Sequence, residues 1–574
     1  MGPIRHAVIH HSIPMPQTFD TIIIGAGAAG CVLAARLSER SDHTVLLLEA
    51  GKDTPPGAEP ADITDVYPTS YYNPAYTWQG LKAHWRHAQG SGTPFPQARV
   101  MGGGGAVMGM VALRGVAADY ERWHDAGAAG WGWADVLPYF NKLENDADFA
   151  GDMHGQDGPT PIRRVKPADW PPLSRAVERY AAQHQMPMID DMNSDFRDGC
   201  GRVPMSNTAA RRMHSAPCYL TPDVRQRKNL TILTSARATK IHFEGRRATG
   251  VSVEREGAIT RFNAGHTVLS AGAIFSPMLL MRSGIGEGAR LNALGIPVIA
   301  SRPGVGANLQ NHPVIFIGIH MRRSARQPGT LRTSPALSLR YTSGLADRPA
   351  DIYINVQGKT SWHALGQQIA NVAPVLLHPL SRGAVTLNTT NPNAHPEVVF
   401  NFLSHELDLQ RMCMAFTKGA QVAAACAQQV ALGKPFPVPF GNRIRQLNVL
   451  NRANAIKAGF AAAVFDLVPA LADPALIRLA GGGVTVDELV ADDARLKAHV
   501  LENVAGLFHP AGTCRMGNAS DPLAVTDAGG RVYGVDGLSV ADASIMPELI
   551  SGNTNIPTLM IAEKIAAGLK GVKQ

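Results

Sequence analysis

The chain has 574 residues, 45% of them hydrophobic, with a formal net charge of +8 and a pI near 9.2. That length exceeds what one hydrophobic core usually supports, so we expect two domains. The basic residues stand in short groups, without a long basic arm or interleaved aromatic residues, and this pattern does not indicate a nucleic-acid partner.

The N-terminal stretch Met1 to Thr18 contains His, Pro and Gln and lacks the continuous apolar core of a signal peptide. No run of about eighteen apolar residues follows it, so we expect no integral membrane segment. The six cysteines are far apart in sequence, with no CxxC pair and no Cys and His spacing that suits zinc. We therefore expect reduced thiols, no metal site and a cytoplasmic protein.

A nucleotide-binding turn is predicted near the start of the chain. Residues 19–24 form a short apolar strand, which is followed by Gly25-Ala26-Gly27-Ala28-Ala29-Gly30 and a helical pattern through Leu37. Gly25 permits the tight turn, Gly27 lets backbone N–H groups approach a pyrophosphate, and Gly30 lets the helix pack closely on the strand. The helix N-terminus adds a dipole that favours an anion.

A second apolar strand, Thr44 to Leu48, ends in Glu49, nineteen residues after Gly30. A carboxylate at this place can accept hydrogen bonds from ribose hydroxyls, and it disfavours a cofactor with a 2′-phosphate. Turn, helix and acid together indicate a dinucleotide site. They do not separate FAD from NAD.

Six motifs further along the chain make that distinction. They are Arg99 to Gly115, Gly272 to Gly286, Pro303 to Pro313, His509 to Gly517, Val540 to Pro547, and Asn553 to Lys564. In this order and spacing the chain, from about residue 19 to 570, resembles the glucose-methanol-choline (GMC) family of FAD-dependent oxidoreductases. Among the members of that family it is most similar to bacterial 5-hydroxymethylfurfural oxidases and aryl-alcohol oxidases.

The resemblance implies an α/β fold, with a doubly wound FAD-binding Rossmann-like domain and an α+β substrate domain built on an antiparallel sheet with flanking helices. We assign residues 17–150, 206–325 and 501–574 to the FAD-binding domain, and residues 151–205 and 326–500 to the substrate-binding domain. Ser381 to Leu387, a turn followed by an alternating strand, suits the antiparallel sheet.

The resemblance also implies the activity, which is the oxidation of a primary alcohol to the aldehyde. A base must take the hydroxyl proton while the flavin takes a hydride from the same carbon. Histidine has the unperturbed pKa nearest neutrality, and His509 matches the family's catalytic histidine. Asn553 stands where the family has His or Asn; its amide cannot take the proton but can donate a hydrogen bond to the developing alkoxide.

The same resemblance implies a set of residues that contact FAD. They are Gly25, Gly27, Ala28, Ala29, Gly30, Glu49, Ala50, Arg99, Met101, Gly102, Gly103, Gly104, Met108, Gly109, Met110, Val111, Ala238, Ala271, Asp542, Ala543, Asn553, Thr554, Asn555 and Pro557. Asp542 would lie near the ribityl or pyrophosphate part of FAD; alternatively, it caps the following turn. His312 is predicted to make a structural hydrogen bond near the flavin domain, and Cys514 to be a packed residue.

The flavin loop departs from the family pattern Gly-Gly-Ser-Ser-x-x-Asn, because this chain has Gly102 to Gly105 followed by Ala106, Val107 and Met108. Two hydroxyls and an amide are absent, which leaves the reaction with oxygen open. Val107 replaces the histidine that binds FAD covalently in some members, so we expect noncovalent FAD. Met108, Met110 and Phe508 suggest an apolar pocket wall, which favours an aromatic, furanic or medium aliphatic alcohol over a sugar or a quaternary amine.

Other activities on the same scaffold stay open. A hydroxynitrile lyase uses FAD without net redox, and a fatty-acid photodecarboxylase requires light. Within the oxidoreductase interpretation the electron acceptor is O2 or a quinone-type molecule, and the sequence does not decide between them.

Overall fold

A computed structural model describes residues 17–571 apart from residues 89, 440 and 482. The prediction made for Met1 to Thr18 therefore falls almost wholly outside the described residues. Two large sheets organise the described chain, one around the N-terminal strand and one built mainly from its second half.

The first sheet contains the predicted N-terminal strand. Its strands are Thr18–Ile24, Val45–Leu48, Leu230–Leu233, Arg237–Glu244, Arg247–Arg255, Ala258–Leu269 and Leu538–Val540. Thr18–Ile24 pairs in parallel with Val45–Leu48 on one side and with Ala258–Leu269 on the other. Val45–Leu48 is a continuous apolar run that is buried throughout, as is typical of a parallel strand covered on both faces. This sheet confirms the predicted α/β fold.

The glycine turn joins the central strand to helix Ala28–Leu37. Gly25 has φ +101°, and a Cβ there would lie 2.5 Å from the Ser270 carbonyl oxygen. A Cβ on Gly30 would lie 1.8 Å from the Gly25 carbonyl oxygen. Both positions therefore require glycine, one for its backbone conformation and one because the helix crosses the turn at close range.

The second sheet is mostly antiparallel, as predicted for the substrate domain. Its strands are Met188–Ile189, Gly199–Arg202, Pro313–Val314, Phe316–His320, Leu337–Tyr341, Ile352–Gln357, Ile369–Leu376, Phe436–Val438 and Ala505–Gly506. Phe316–His320 and Ala505–Gly506 lie in stretches that we assigned to the FAD-binding domain, yet both belong to this sheet. The second sheet therefore includes strands before residue 326 and after residue 501, which the predicted domain boundaries placed in the FAD-binding domain.

The strand predicted within Ser381 to Leu387 is present, but the prediction that it belongs to the large antiparallel sheet was wrong. This strand, Ala384–Thr386, pairs with Glu397–Val399 in a separate two-stranded sheet. A Cβ on Gly383 would lie 2.0 Å from the Val399 carbonyl oxygen, so the two segments are in close backbone contact. Alternation of apolar residues predicts a strand but does not specify its partner.

The longer helices pack on these sheets. Helices of eight or more residues are Ala28–Leu37, Ala117–Asp125, Trp133–Leu143, Pro172–Gln183, Gly272–Arg282, Glu406–Val430, Arg452–Leu467, Pro469–Gly481, Asp493–Asn503 and Asn555–Gly571. Ala28–Leu37 and Asn555–Gly571 pack against each other, while Glu406–Val430 packs on the second sheet. Across the described part of the chain, no helix combines the length and the apolar character needed to cross a membrane.

Candidate active site

A cavity of about 650 Å³ extends between the two sheets. The glycine turn, Glu49 and Ala271 line one part of its wall, and residues of the second sheet line another. His509 and Asn553 also line it. The N-terminal turn and the C-terminal polar pair, which are almost 500 residues apart in sequence, therefore open onto one continuous space.

The glycine-rich part of the wall can hold a dinucleotide. A Cβ on Gly27 would meet only the Gly103 Cα, at 3.8 Å, while a Cβ on Gly104 or Gly109 would meet nothing within 4 Å. These backbones are therefore open to a bound group. Gly27 and Ala28 line the cavity at the start of helix Ala28–Leu37, whose first N–H groups have no partner within the helix. The residues present fit the pyrophosphate of FAD.

Glu49 lies on the same wall and is buried. One carboxylate oxygen accepts from the Ala26 N–H at 3.0 Å, and the other from the Gly51 N–H at 2.7 Å. Burial raises the pKa of Glu49, while these two backbone bonds act in the opposite direction. Each oxygen keeps a lone pair for a ribose hydroxyl.

Most of the residues predicted to contact FAD line this cavity. They are Gly25, Gly27, Ala28, Ala29, Glu49, Ala50, Gly103, Gly104, Met108, Gly109, Met110, Val111, Ala238, Ala271, Asp542, Ala543, Asn553, Thr554 and Asn555.

Five others do not line it: Gly30, Arg99, Met101, Gly102 and Pro557. Gly30 packs on Gly25, and Gly102 packs under the ring of His214. Arg99 donates to the Ala50 carbonyl oxygen. Gly30 and Arg99 thus contact the wall residues Gly25 and Ala50 without lining the cavity themselves.

Asp542 both caps a turn and faces the cavity. Its carboxylate accepts from the Ser544 N–H at 2.8 Å, which caps the short 3-10 helix Ala543–Ile545, and this was the alternative considered for it. It also accepts from the Gly272 N–H at 2.8 Å and from the Ser276 hydroxyl at 2.6 Å. The carboxylate thereby ties the C-terminal motif to the start of helix Gly272–Arg282.

His509 and Asn553 meet at the cavity wall. The Asn553 amide nitrogen donates to His509 Nε2 at 3.1 Å. His509 lines the cavity, and burial lowers its pKa from 6.5 to about 4. At neutral pH the imidazole is therefore uncharged and can accept a proton.

His312 determines which nitrogen of His509 carries the proton. His312 Nε2 lies 3.2 Å from the Ile550 carbonyl oxygen, which can only accept, so Nε2 is the protonated nitrogen. Burial, together with His509 and His378, lowers the pKa of His312 well below 6.5, so its Nδ1 has a free lone pair. That Nδ1 lies 2.9 Å from His509 Nδ1. His509 must donate there, which leaves its own lone pair on Nε2.

The backbone around the pair is held in strained conformations. Phe508, directly before His509, has φ +59°, and Met110 has φ +61°. Such values are uncommon for residues other than glycine and often mark functional sites. Asn311 helps to hold this segment, because its side-chain oxygen accepts from both the His509 and the His312 backbone N–H at 2.9 Å. Sequence analysis predicted a structural role for His312 and missed its contact with His509.

The apolar wall contains the three predicted residues, Met108, Met110 and Phe508. The sequence did not predict the tyrosines beside them. Tyr71 contacts the Phe508 ring at 5.6 Å between centroids, and the ring of Tyr72 contacts Tyr71 at 5.0 Å. Tyr67, Tyr71 and Tyr72 all line the cavity, so its substrate part is largely aromatic.

A buried ionic cluster lies outside this cavity and contains side chains that bind metals in other contexts. Single ligand atoms of Glu144, Asp146 and His154 lie within 4.8 Å of one another. Arg164 bonds Asp146 at 2.9 Å, while His154 Nε2 bonds Asp191 at 2.8 Å. Burial opposes protonation of His154, but hydrogen bonds to Asp146, Asp191 and Glu144 raise its pKa to about 10. Arg114 bonds Glu144, so a protonated His154, Arg114 and Arg164 together balance the charges of the three carboxylates.

Models of one protein family match most of the chain. The N-terminal family model described as GMC oxidoreductase matches residues 19–314, and the C-terminal one matches residues 379–562. The chain is 37% identical to 5-(hydroxymethyl)furfural oxidase of Methylovorus sp. (strain MP688), over 96% of this chain and 98% of that protein.

Two further relatives show the breadth of the similarity. Mitochondrial choline dehydrogenase of Homo sapiens is 32% identical, over 96% of this chain and 90% of its own. The crystal structure of pyridoxine 4-oxidase from Mesorbium loti superposes with a TM-score of 0.78 at 27% identity, and the match covers 97% of this chain and 100% of that one.

Proposed function

The chain belongs to the GMC family of FAD-dependent alcohol oxidoreductases, and we propose that it oxidises a primary aromatic, furanic or medium aliphatic alcohol to the aldehyde with His509 as the general base. The observation that carries this proposal is the pairing of His509 Nε2 with the Asn553 amide at 3.1 Å, on the wall of a cavity that also contains the glycine cradle.

The proton transfer follows from the hydrogen bonds of His509. An alcohol that replaces the direct bond between the two side chains donates its hydroxyl proton to His509 Nε2, and its oxygen accepts from the Asn553 amide. As Nε2 gains the proton, the ring becomes positively charged, and its Nδ1–H keeps its bond to the uncharged His312. That bond then becomes charge-assisted and stabilises the imidazolium.

Bound FAD would supply the acceptor for the hydride of the carbinol carbon. Glu49 and the backbones of Gly27 and Gly103 would hold its nucleotide part. We propose that the binding is noncovalent, because Val107 stands where some members of the family have the histidine that is joined to FAD. The electron acceptor in this proposal is O2 or a quinone-type molecule.

The substrate proposal rests on the wall of the cavity and on the relatives. Aromatic rings and methionines form its surface near His509, which favours a flat apolar substrate over a sugar. Glu49 and Asp542 are the acidic side chains on the described part of the wall, and both bond the nucleotide-binding segments. Among the described residues, the cavity therefore has no carboxylate free to bind a quaternary ammonium group.

Anaerobic mixing of the purified yellow protein with an alcohol tests the function. We expect 5-hydroxymethylfurfural and benzyl alcohol to bleach the flavin absorbance, with one aldehyde formed per flavin. Release of cyanide from a cyanohydrin without bleaching would instead indicate a lyase, and activity only under illumination a photodecarboxylase. Turnover with O2 and with a quinone, measured in turn, identifies the acceptor.

A further inference from the structure

The cavity wall formed by the second sheet has a polar stripe that the proposed chemistry does not use. Tyr353, Asn355 and Gln357 alternate along strand Ile352–Gln357 and all line the cavity, as does Asn371 on the next strand. Gln357 pairs directly with Asn371, so their side chains share one face. Lys359 also lines the cavity, just beyond the end of the strand.

The strand register orients this stripe relative to His509. Tyr353 pairs with Val375, Val375 with Val314, and Val314 with Ala505, four residues before His509. Tyr353 is therefore at the catalytic end of the stripe. Gln357 lies roughly 13 Å farther along the strand at the usual rise per residue, and Lys359 lies beyond it.

Lys359 has a positive charge without a paired acid. Its ammonium lies 4.5 Å from the centre of the Tyr67 ring, and no carboxylate of the described residues forms an ion pair with it. The nearby Asp65 is already bonded by Arg332 and by the Thr69 hydroxyl. The ammonium therefore keeps hydrogen-bond donors that no described protein acceptor uses.

The amides of the stripe are unpartnered as well. Within the described residues, the carboxamides of Asn355, Gln357 and Asn371 make no side-chain hydrogen bond, and Asn371 is only 8% exposed. Buried polar groups in native proteins are normally hydrogen-bonded. The buried Oδ1 atoms of Asn355 and Asn371 lack a donor, whereas the unused N–H groups of the amides and of Lys359 can bind a ligand with several acceptor atoms. A carboxylate has two such oxygens and the complementary charge.

We propose that Lys359, with Gln357 and Asn371, forms a subsite for a carboxylate at the far end of the substrate, so that the preferred substrates are primary alcohols that also bear a distal acid. This inference rests on the proposed alcohol oxidation and identifies its substrate class. The alcohol occupies His509 and Asn553, the tyrosine wall covers the middle of the molecule, and the acid reaches Lys359.

The test compares acids with their primary amides, which have the same shape without the charge. The three acids are 4-(hydroxymethyl)benzoate, 3-[4-(hydroxymethyl)phenyl]propanoate and 4′-(hydroxymethyl)biphenyl-4-carboxylate, a series of increasing length. The measured quantity is the ratio of kcat/KM for acid over amide. In the unmodified holoenzyme we expect this ratio to exceed one for at least one length.

Two variants of Lys359 and one variant of another lysine test whether the preference for acids depends on Lys359. Lys359→Met should lower the ratio roughly 10- to 100-fold, because a hydrogen-bonded ion pair is lost. Lys359→Arg, which keeps the charge, should retain the preference. Lys564 is the control: its ammonium also lies over aromatic rings, 5.4 Å from Trp131 and 5.0 Å from Tyr139, but outside the cavity. Lys564→Met should leave the ratio unchanged.

The pH dependence gives a second readout. Burial and the charge of Arg332 lower the pKa of Lys359 and Asp65 opposes them, so that the pKa is about 8. Tyr67 stays neutral because burial raises its pKa. The charge of Lys359 is present below pH 8, so the preference for acids should be lost as the pH rises through about 8.

A ratio of one or less at every length, or a preference that survives Lys359→Met, would overturn the subsite. Binding of an acid can be measured separately from alcohol oxidation, because 4-methylbenzoate and its longer homologues lack the reacting hydroxyl. Failure of the subsite can therefore be told apart from failure of the proposed function. Titration calorimetry on the holoenzyme measures their binding relative to the corresponding amides. Tighter binding of an acid that depends on Lys359 supports the subsite even if no alcohol is oxidised, and equal binding contradicts it.

Discussion

Replacement of His312 with leucine removes the acceptor for His509 Nδ1. The bond is 2.9 Å long, its acceptor His312 is fully buried, and it becomes charge-assisted once His509 takes the proton from the alcohol. Hydrogen bonds to charged groups contribute about 1.5–3 kcal/mol. We therefore expect His312→Leu to slow flavin reduction roughly 10- to 150-fold at saturating alcohol. KM should change little, because His312 acts through His509.

His312→Asn is the matched control. Both substitutions remove the donor to the Ile550 carbonyl oxygen, but the asparagine side-chain oxygen can still accept from His509 Nδ1. Anaerobic stopped-flow measurement of flavin reduction should show His312→Asn within a few-fold of the unmodified enzyme. Equal rates for the two variants, whether both slow or both normal, would refute the assignment of the His509 tautomer to His312.

Four further outcomes follow from the structure. Asn553→Ala removes the donor to the developing alkoxide and should lower kcat about 10²- to 10³-fold in steady-state assays. Because burial lowers the pKa of His509 to about 4, kcat/KM should fall as the pH drops through about 4 rather than 6.5, as a pH profile with a neutral alcohol will show. Glu49→Gln should weaken FAD binding about tenfold or more, which the ratio of flavin to protein absorbance during dilution measures. The raised pKa of His154 stabilises the fold fully below pH 6.5, and this stabilisation is lost as the pH rises through about 10; urea unfolding of His154→Asn should therefore show a deficit of a few kcal/mol at pH 6 that shrinks by pH 10.

The features that the sequence predicted well are local or follow from the family resemblance. The glycine turn and Glu49 are about 25 residues apart in sequence, and a dinucleotide site requires glycines and an acid at these places. His509 and Asn553 were paired through the resemblance, and the structure brings them to 3.1 Å. These predictions needed no knowledge of how distant segments pack.

The features that the sequence did not predict depend on long-range packing. His312 and His509 are 197 residues apart, and the paired strands Pro313–Val314 and Ala505–Gly506, with the Asn311 side chain, bring them together. The contact of Tyr71 with Phe508 and the position of Lys359 are equally non-local. A histidine or lysine in the sequence has no periodic pattern that marks such a contact, whereas a hydrophobic strand does.

The central claim is that His509 takes the alcohol proton. Its most direct test is the rate of anaerobic flavin reduction by benzyl alcohol in His509→Gln, measured on protein that retains a full complement of FAD. If His509 takes the alcohol proton, this rate should be about 10²- to 10⁴-fold below that of the unmodified enzyme. Reduction of the His509→Gln flavin at the unmodified rate would contradict that role.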